Sequence, residues 1–338
     1  MTRIEGATEY TAPAAGSADP VRAQVENLIG KEKADKLLSH FKRTKNGLSC
    51  IYYDGKQQVN PSGKGQKASP IVIGSLKDLS FYDILERPCD PYRQIRVTMS
   101  YLEKYLLIPT KSGKLVFVSD DHNHAVFAWA LAQDAGIVRE PSLIHIDGHP
   151  DYPVDDPKGS YYKGEHRPIT ISGVAELVRE KMSINYIVLD AMKLEMPSGR
   201  VVDPHGIFFV DPSNTGQGVQ CATNRLKPFD GSCDLTEISL ELADSVIDKA
   251  KAAGRSVICD IDLDYFLPDF KPYTVCGLRC EETIDWVAGI ARRSDFVTIA
   301  TSPNYLAIPK EDNQRVKEDN QRVVVRELLT RIIREMDR

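Results

Sequence analysis

Leu143-Ile144-His145-Ile146-Asp147-Gly148-His149-Pro150-Asp151 changes character halfway along: a short apolar run gives way to two carboxylates flanking an imidazole at alternate positions. A run of that length and apolarity reads as a strand buried on both faces. In an extended segment Asp147, His149 and Asp151 project to one side, as ligands of one metal centre must. The pattern occurs twice more. Leu115 to Val118 is followed by Asp120-Asp121-His122-Asn123-His124, and Ser256 to Ile258 leads into Asp260-Ile261-Asp262-Leu263-Asp264, with carboxylates again at period two. Three aspartates on one face of a strand leaving a buried run repel strongly unless a cation lies among them. Oxygen-rich donors with a minority of imidazoles and no thiolate favour Mn²⁺ or a similarly hard ion over structural zinc.

Around these clusters, strand patterns (Tyr186 to Leu189, Ile207 to Val210, Phe296 to Ala300) alternate with helical ones. The helical spacings cover Ala125 to Ala135, Ile171 to Lys181, Leu240 to Ala253 and Glu282 to Arg292. Strand and helix taking turns predicts an α/β fold with a mainly parallel central sheet and helices on both faces. Such sheets collect ligand-binding groups past the carboxyl ends of their strands, which is where all three clusters fall.

Further out the chemistry thins. Residues 1–20 lack apolar periodicity and read as a flexible tail. Val21, Val25, Leu28, Ile29, then Ala34, Leu37, Leu38 and Phe41, fall at helical spacing, and a strand follows at Ser49 to Tyr53. Asn60 to Lys67 is glycine- and lysine-bearing but lacks the order of a phosphate-binding loop. Residues 21–110 carry no chemical motif. Near the end, Glu311 to Val316 recurs at Glu318 to Val323; inserting seven residues turns a helix's apolar face by only ~20°, so a long helix over 309–337 tolerates it. Its stripe Val324, Leu328, Ile332 and Met336 reads as core or as a contact between copies in a homo-oligomer. Residues 21–338 thus read as one domain, with 115–303 as its recognisable core.

Composition narrows the partners. Of 338 residues 42% are hydrophobic and 27% charged, and 43 Lys plus Arg against 48 Asp plus Glu leave a net charge of -5 without a basic block. That gives no footprint for nucleic acid or anionic membrane. No segment approaches the ~20 apolar residues of a membrane span, and the first twenty lack a secretory apolar region, so a cytoplasmic location is expected. Seven scattered cysteines without a Cys-x-x-Cys pair argue against a disulfide framework.

Ser119-Asp120-Asp121-His122-Asn123, Asp147-Gly148-His149-Pro150-Asp151 and Ile258-Cys259-Asp260-Ile261-Asp262 resemble, in order and strand context, three segments of the ureohydrolase branch of the arginase and deacetylase superfamily. With Asp264-Tyr265-Phe266 and Thr298 to Pro303 added, the chain is most similar to the divergent arginase-like family that includes the peptide arginases. Those enzymes convert arginine side chains of ribosomal precursor peptides to ornithine and urea.

The resemblance implies an arginase-like three-layer sandwich and two Mn²⁺ per chain. His122, Asp147, Asp151 and Asp260 would hold one ion, and His149, Asp147, Asp260 and Asp262 the other, with Asp147 and Asp260 bridging. Asp151 would orient a shared water for attack on the guanidinium carbon, and His166, with His205 in reserve, would pass a proton to the departing amine. Two departures bear on substrate. Ala300 and Thr301 stand where the family's last strand offers a guanidinium-binding Glu, which leaves Asp264, Glu281 or Glu282 for that task. Tyr152-Pro153 replaces an Asn that grips free arginine, and the long stretch from Asp211 to Ser232 offers a binding surface. An arginine-containing precursor peptide is therefore the expected partner. The alternatives are a zinc deacetylase, whose paired histidines are here split by Asn123, and a metal-stabilised binding protein without catalysis.

Overall fold

Leu115–Ser119 (β7), Ser142–Ile146 (β8), Val257–Asp262 (β13) and Phe296–Ala300 (β14) are buried at every position, as strands covered on both faces must be. They form the centre of the computed structural model, which describes residues 20–44, 47–56, 68–90, 95–120, 123–147, 194–196, 200–202, 207–210, 235–238, 240–266, 280–303 and 314–338.

Before them come helices α1 (Pro20–Ile29) and α2 (Lys31–Ser39), then β1 (Phe41–Thr44), β2 (Gly47–Lys56), β3 (Ala68–Ile73), β4 (Phe81–Asp90), β5 (Ile95–Leu102) and β6 (Tyr105–Pro109). Proline opens α1, where its missing N–H costs nothing, and Gly30 at φ 82° separates the two helices. Helix α3 (Asn123–Asp134) links β7 to β8. Beyond lie β9 (Leu194–Met196), β10 (Arg200–Val202), β11 (Ile207–Val210), β12 (Leu235–Ile238), and α4 (Ala243–Ala252) before β13. Helix α5 (Cys280–Arg293) joins β13 to β14, and α6 (Gln314–Met336) ends the chain.

Ten strands make one sheet in the order β1-β2-β3-β6-β7-β14-β13-β8-β11-β12. The pairings from β7 to β12 are all parallel, as is β3 with β6; β1 with β2, β2 with β3, and β6 with β7 are antiparallel. The chain crosses from β7 to β8 in one direction and returns through α4 and α5 in the other. Right-handed crossovers then put α3 on one face and α4 and α5 on the opposite face. Helix α2 packs on α3, where His40 Nε2 and Asp134 Oδ2 meet at 2.9 Å, and α6 packs on α5. The result is the expected α/β sandwich with a mainly parallel sheet and helices on both faces.

Those sequence-based elements around residues 115–300 that fall on described residues match within a residue or two, except that Leu240–Leu242 is a 3₁₀ turn preceding α4, and the short strands β9, β10 and β12 were not expected. The final helix keeps Val325, Leu328, Leu329, Ile332, Ile333 and Met336 buried, with Val324 only partly so. Strands β4 and β5 stand apart as a two-stranded antiparallel arm packed against α6. The tail, the 60–67 loop, the helix at 171–181, the strand at 186–189 and the 211–232 stretch lie outside the described residues.

Candidate metal centre

The parallel strands all point the same way, so their carboxyl ends share one edge of the sheet, and the polar residues that follow them meet there. Asp147 follows β8, Asp262 ends β13, Asp264 sits in the 3₁₀ turn Leu263–Tyr265 that follows, Asp120 follows β7, and Thr301-Ser302 follow β14. All six are buried.

Asp147, Asp262 and Asp264 each offer one oxygen, and the three oxygens lie within 4.8 Å of one another. Oxygens sharing a hard divalent cation, at bond lengths of ~2.0–2.6 Å, lie no more than ~5 Å apart, so this donor set fits such an ion. The turn is fixed locally: Asp262 caps it, its Oδ1 accepting from the Asp264 backbone N–H at 3.0 Å. Asp262 Oδ2 accepts from the Ser302 hydroxyl. Ser302 sits at φ 38°, a left-handed conformation that costs a serine ~1–3 kcal/mol and is held by its own N–H, which donates to the Asp120 carbonyl at 2.7 Å.

One pleat further back lies a second row. Register places His145, Asp260 and Thr298 side by side on β8, β13 and β14. His145 Nδ1 donates to Asp260 Oδ2 at 2.8 Å, the Thr298 hydroxyl donates to Asp260 Oδ1, and Trp129 Nε1 of α3 donates to Thr298 Oγ1 at 3.1 Å. His145 Nε2 lies 3.1 Å from Asp147 Oδ2. Burial pulls the His145 pKa down, but hydrogen bonding and proximity to Asp147 and Asp260 outweigh it and carry the imidazole up to about 10. Burial also lifts the neighbouring Cys259 thiol well above its usual value, with the Asp260 charge adding to it, so that thiol stays protonated.

Asp120 does different work. Both its oxygens accept from the Leu102 backbone N–H, at 3.0 and 3.1 Å, and Oδ1 also accepts from the Thr301 hydroxyl at 3.1 Å. Its charge therefore fastens β5 and the end of β14 to the segment that leads to His122. His124, at the start of α3, is buried against the Tyr105 ring, with centroids 4.7 Å apart, and burial lowers its pKa to about 3. It is a neutral packing residue.

Of the residues singled out from sequence, Asp147, Asp262 and Asp264 are brought together. Asp260, expected to bridge two cations, stands behind them between His145 and Thr298. Thr301 turns its hydroxyl to Asp120. Glu281 and Glu282 fall in the first turn of α5, with side chains outside the described set. His122, His149, Asp151, His166 and His205 lie outside the described residues. Thr298 and Ser302 lie inside the Thr298 to Pro303 segment that the resemblance drew on, without a role assigned to either, and Trp129 was announced by no motif. Cys50 and Cys259 are buried thiols outside any disulfide.

No family model matches the chain, and no curated protein matches it in sequence. Among solved structures it is similar to the agmatine ureohydrolase of Thermoplasma volcanium at 14% identity, covering 70% of this chain and 63% of that one, with a TM-score of 0.34. The chain thus spans less than two thirds of that protein's length. What fold and site define together is a parallel α/β protein with a buried carboxylate centre at the carboxyl edge of its sheet. No helix among the described residues is long and apolar enough to cross a membrane.

Proposed function

We propose that this centre binds divalent cations and that the chain is a metal-dependent hydrolase of the ureohydrolase type, acting on arginine within a peptide and releasing urea. The observation that supports it most is the meeting of Asp147, Asp262 and Asp264 oxygens in a buried cluster at the sheet's carboxyl edge. Burying several carboxylates together is costly, and a hard divalent cation among them removes the repulsion.

Cations bound there supply Lewis acidity and bring water within reach of deprotonation near neutral pH. The chain's own residues do the rest. Asp147, Asp262 and Asp264 hold the positive charge in place, Ser302 fixes the Asp262 carboxylate, and His122, His149 and Asp151 complete the set in the way the motif order suggests. Two Mn²⁺ per chain accord with that many donors. Asp151 aligns the attacking water, and His166 hands a proton to the amine that leaves as ornithine. The substrate guanidinium needs an anionic partner other than Asp264 if Asp264 binds metal, which favours Glu281 or Glu282 on α5.

The test couples metal analysis to urea release, offering free arginine and an arginine-bearing peptide at equal concentration and seeking ornithine in the peptide by mass spectrometry. About two Mn²⁺ per chain with urea from the peptide supports the reading in full. Urea from free arginine alone returns the protein to small-molecule chemistry. Metal without urea from either substrate favours a binding protein, for which the absence of a Glu at Ala300 and Thr301 is the best argument.

A further inference from the structure

We infer that Asp260 and His145 are positioning residues: Asp260, anchored by Thr298, holds the His145 ring so that its Nε2 side fixes Asp147, and neither residue is itself a metal ligand. The inference rests on the proposed cation site and divides the labour within it differently from the motif resemblance, which makes Asp260 a bridging ligand.

The geometry is that of two stacked rows. Parallel-strand register sets His145, Asp260 and Thr298 abreast, and side chains two residues further along each strand, Asp147 and Asp262, point to the same face one step nearer the carboxyl edge. The front row, with Asp264, carries the oxygens close enough to share an ion. In the rear row both Asp260 oxygens are engaged, Oδ2 by His145 at 2.8 Å and Oδ1 by the Thr298 hydroxyl, and that hydroxyl is itself oriented by Trp129 Nε1 at 3.1 Å. Asp260 is fully buried and His145 nearly so, so neither contact competes with bulk water.

From the rear row His145 reaches forward, with Nε2 3.1 Å from Asp147 Oδ2. Held at Nδ1 by Asp260, the imidazole keeps its Nε2 at ion-pair distance from that oxygen. A carboxylate so restrained presents its remaining oxygen to the ion in one orientation, which is how groups behind a metal site raise its affinity. The buried Trp129, through its hydrogen bond to Thr298, braces the rear row behind a front row that lies at the ends of strands.

The experiment measures Mn²⁺ affinity and stoichiometry by calorimetry and electron paramagnetic resonance, alongside thermal unfolding without metal. In the full chain, D260N and H145Q should keep the wild-type number of ions and bind them ~10–100-fold more weakly. D262N should lose an ion outright. The amide nitrogen of Gln replaces the ring's Nε2 position and that of Asn its Nδ1 position, so H145Q should hold metal better than H145N, and H145A should be worse than H145Q. A purely structural role for His145 would move the unfolding temperature and leave that affinity order flat, and such a result overturns the inference. Loss of an ion in D260N also overturns it, since a residue that only positions a ligand leaves the ion's own donors in place. If H145A fails to fold, the comparison of H145Q with H145N decides alone. Wild-type protein that binds no Mn²⁺ removes the cation site itself, a failure distinct from any ordering among the variants.

Discussion

In the ten-stranded sheet, β3 and β6 of the amino-terminal half are as apolar as β7 and β8, yet the aspartates that follow strands at the site come from the carboxyl-terminal half. The difference comes from direction. Strand β6 runs antiparallel to β7, and β3 runs with β6, so these strands begin at the edge where β7, β14, β13 and β8 end. Beside β7, β6 and β3 can therefore offer that edge only what precedes them: the Leu102 N–H on Asp120, and the Tyr105 ring at the start of β6 against His124. One half supplies ligands and the other supplies a wall.

The joint between the halves is the β6–β7 pair, where Tyr105 and Phe117 meet edge to face with centroids 6.3 Å apart. Phe117 is 1% exposed, so Phe117→Ala should cost ~3–5 kcal/mol of stability. Urea denaturation reads this as a lower midpoint at an unchanged slope. Two separate transitions would instead show halves that fold independently.

The ligand half should respond to metal, and the wall should not. Saturating Mn²⁺ at a hundredfold excess over its dissociation constant should stabilise the wild type by ~2.7 kcal/mol. Asp264→Asn should abolish that gain, while its metal-free unfolding temperature stays equal to or above that of the metal-free wild type, because one of three crowded carboxylates is gone. Equal Mn²⁺ stabilisation in variant and wild type would show that Asp264 is no ligand.

Sequence alone revealed the ligand half far better than the wall, and the physical reason is strand burial. Val257–Asp262 and Phe296–Ala300 are short, wholly buried and bounded by helices, so apolarity outlines them. Phe81–Asp90 and Ile95–Leu102 pair through two register shifts, and Pro88 interrupts the first, so no period survives to be read. At the site, period-two aspartates were visible, but the choice among Asp260, Asp262 and Asp264 was not. That choice depends on where β13 ends and its turn begins. The Leu102 contribution is a backbone N–H, which leaves no trace in residue identity, and the Thr298 and Ser302 hydroxyls belong to residue types found everywhere.

Asp120 ties the halves together through the Leu102 N–H and the Thr301 hydroxyl. Asp120→Ala leaves the Leu102 N–H and the Thr301 hydroxyl buried without that carboxylate, a loss of ~1–3 kcal/mol. It should also weaken Mn²⁺ binding, since Ser302, which holds Asp262, follows directly on Thr301. If the unfolding midpoint falls while Mn²⁺ affinity stays at the wild-type value, the wall supports the fold and has no hold on the site.

The smallest effect is expected where the β4–β5 arm meets the final helix. Arg322 of α6 pairs with Asp83 on β4, and its Nε donates to the Ser100 hydroxyl at 3.0 Å on β5. That pair is substantially exposed, with side chains at 34% and 42%, so water and salt screen it, and holding a long arginine in one geometry costs entropy. The same face of α6 offers a better-protected tie, since Gln321 Oε1 accepts from the buried Ser100 N–H at 3.1 Å. Arg322→Ala should therefore lower stability by no more than ~1 kcal/mol, and less as salt is raised, with Mn²⁺ affinity unchanged. A loss several times larger and indifferent to salt would mean that the arginine stem packs the arm onto the helix, and that the arm is held by apolar contact instead of charge.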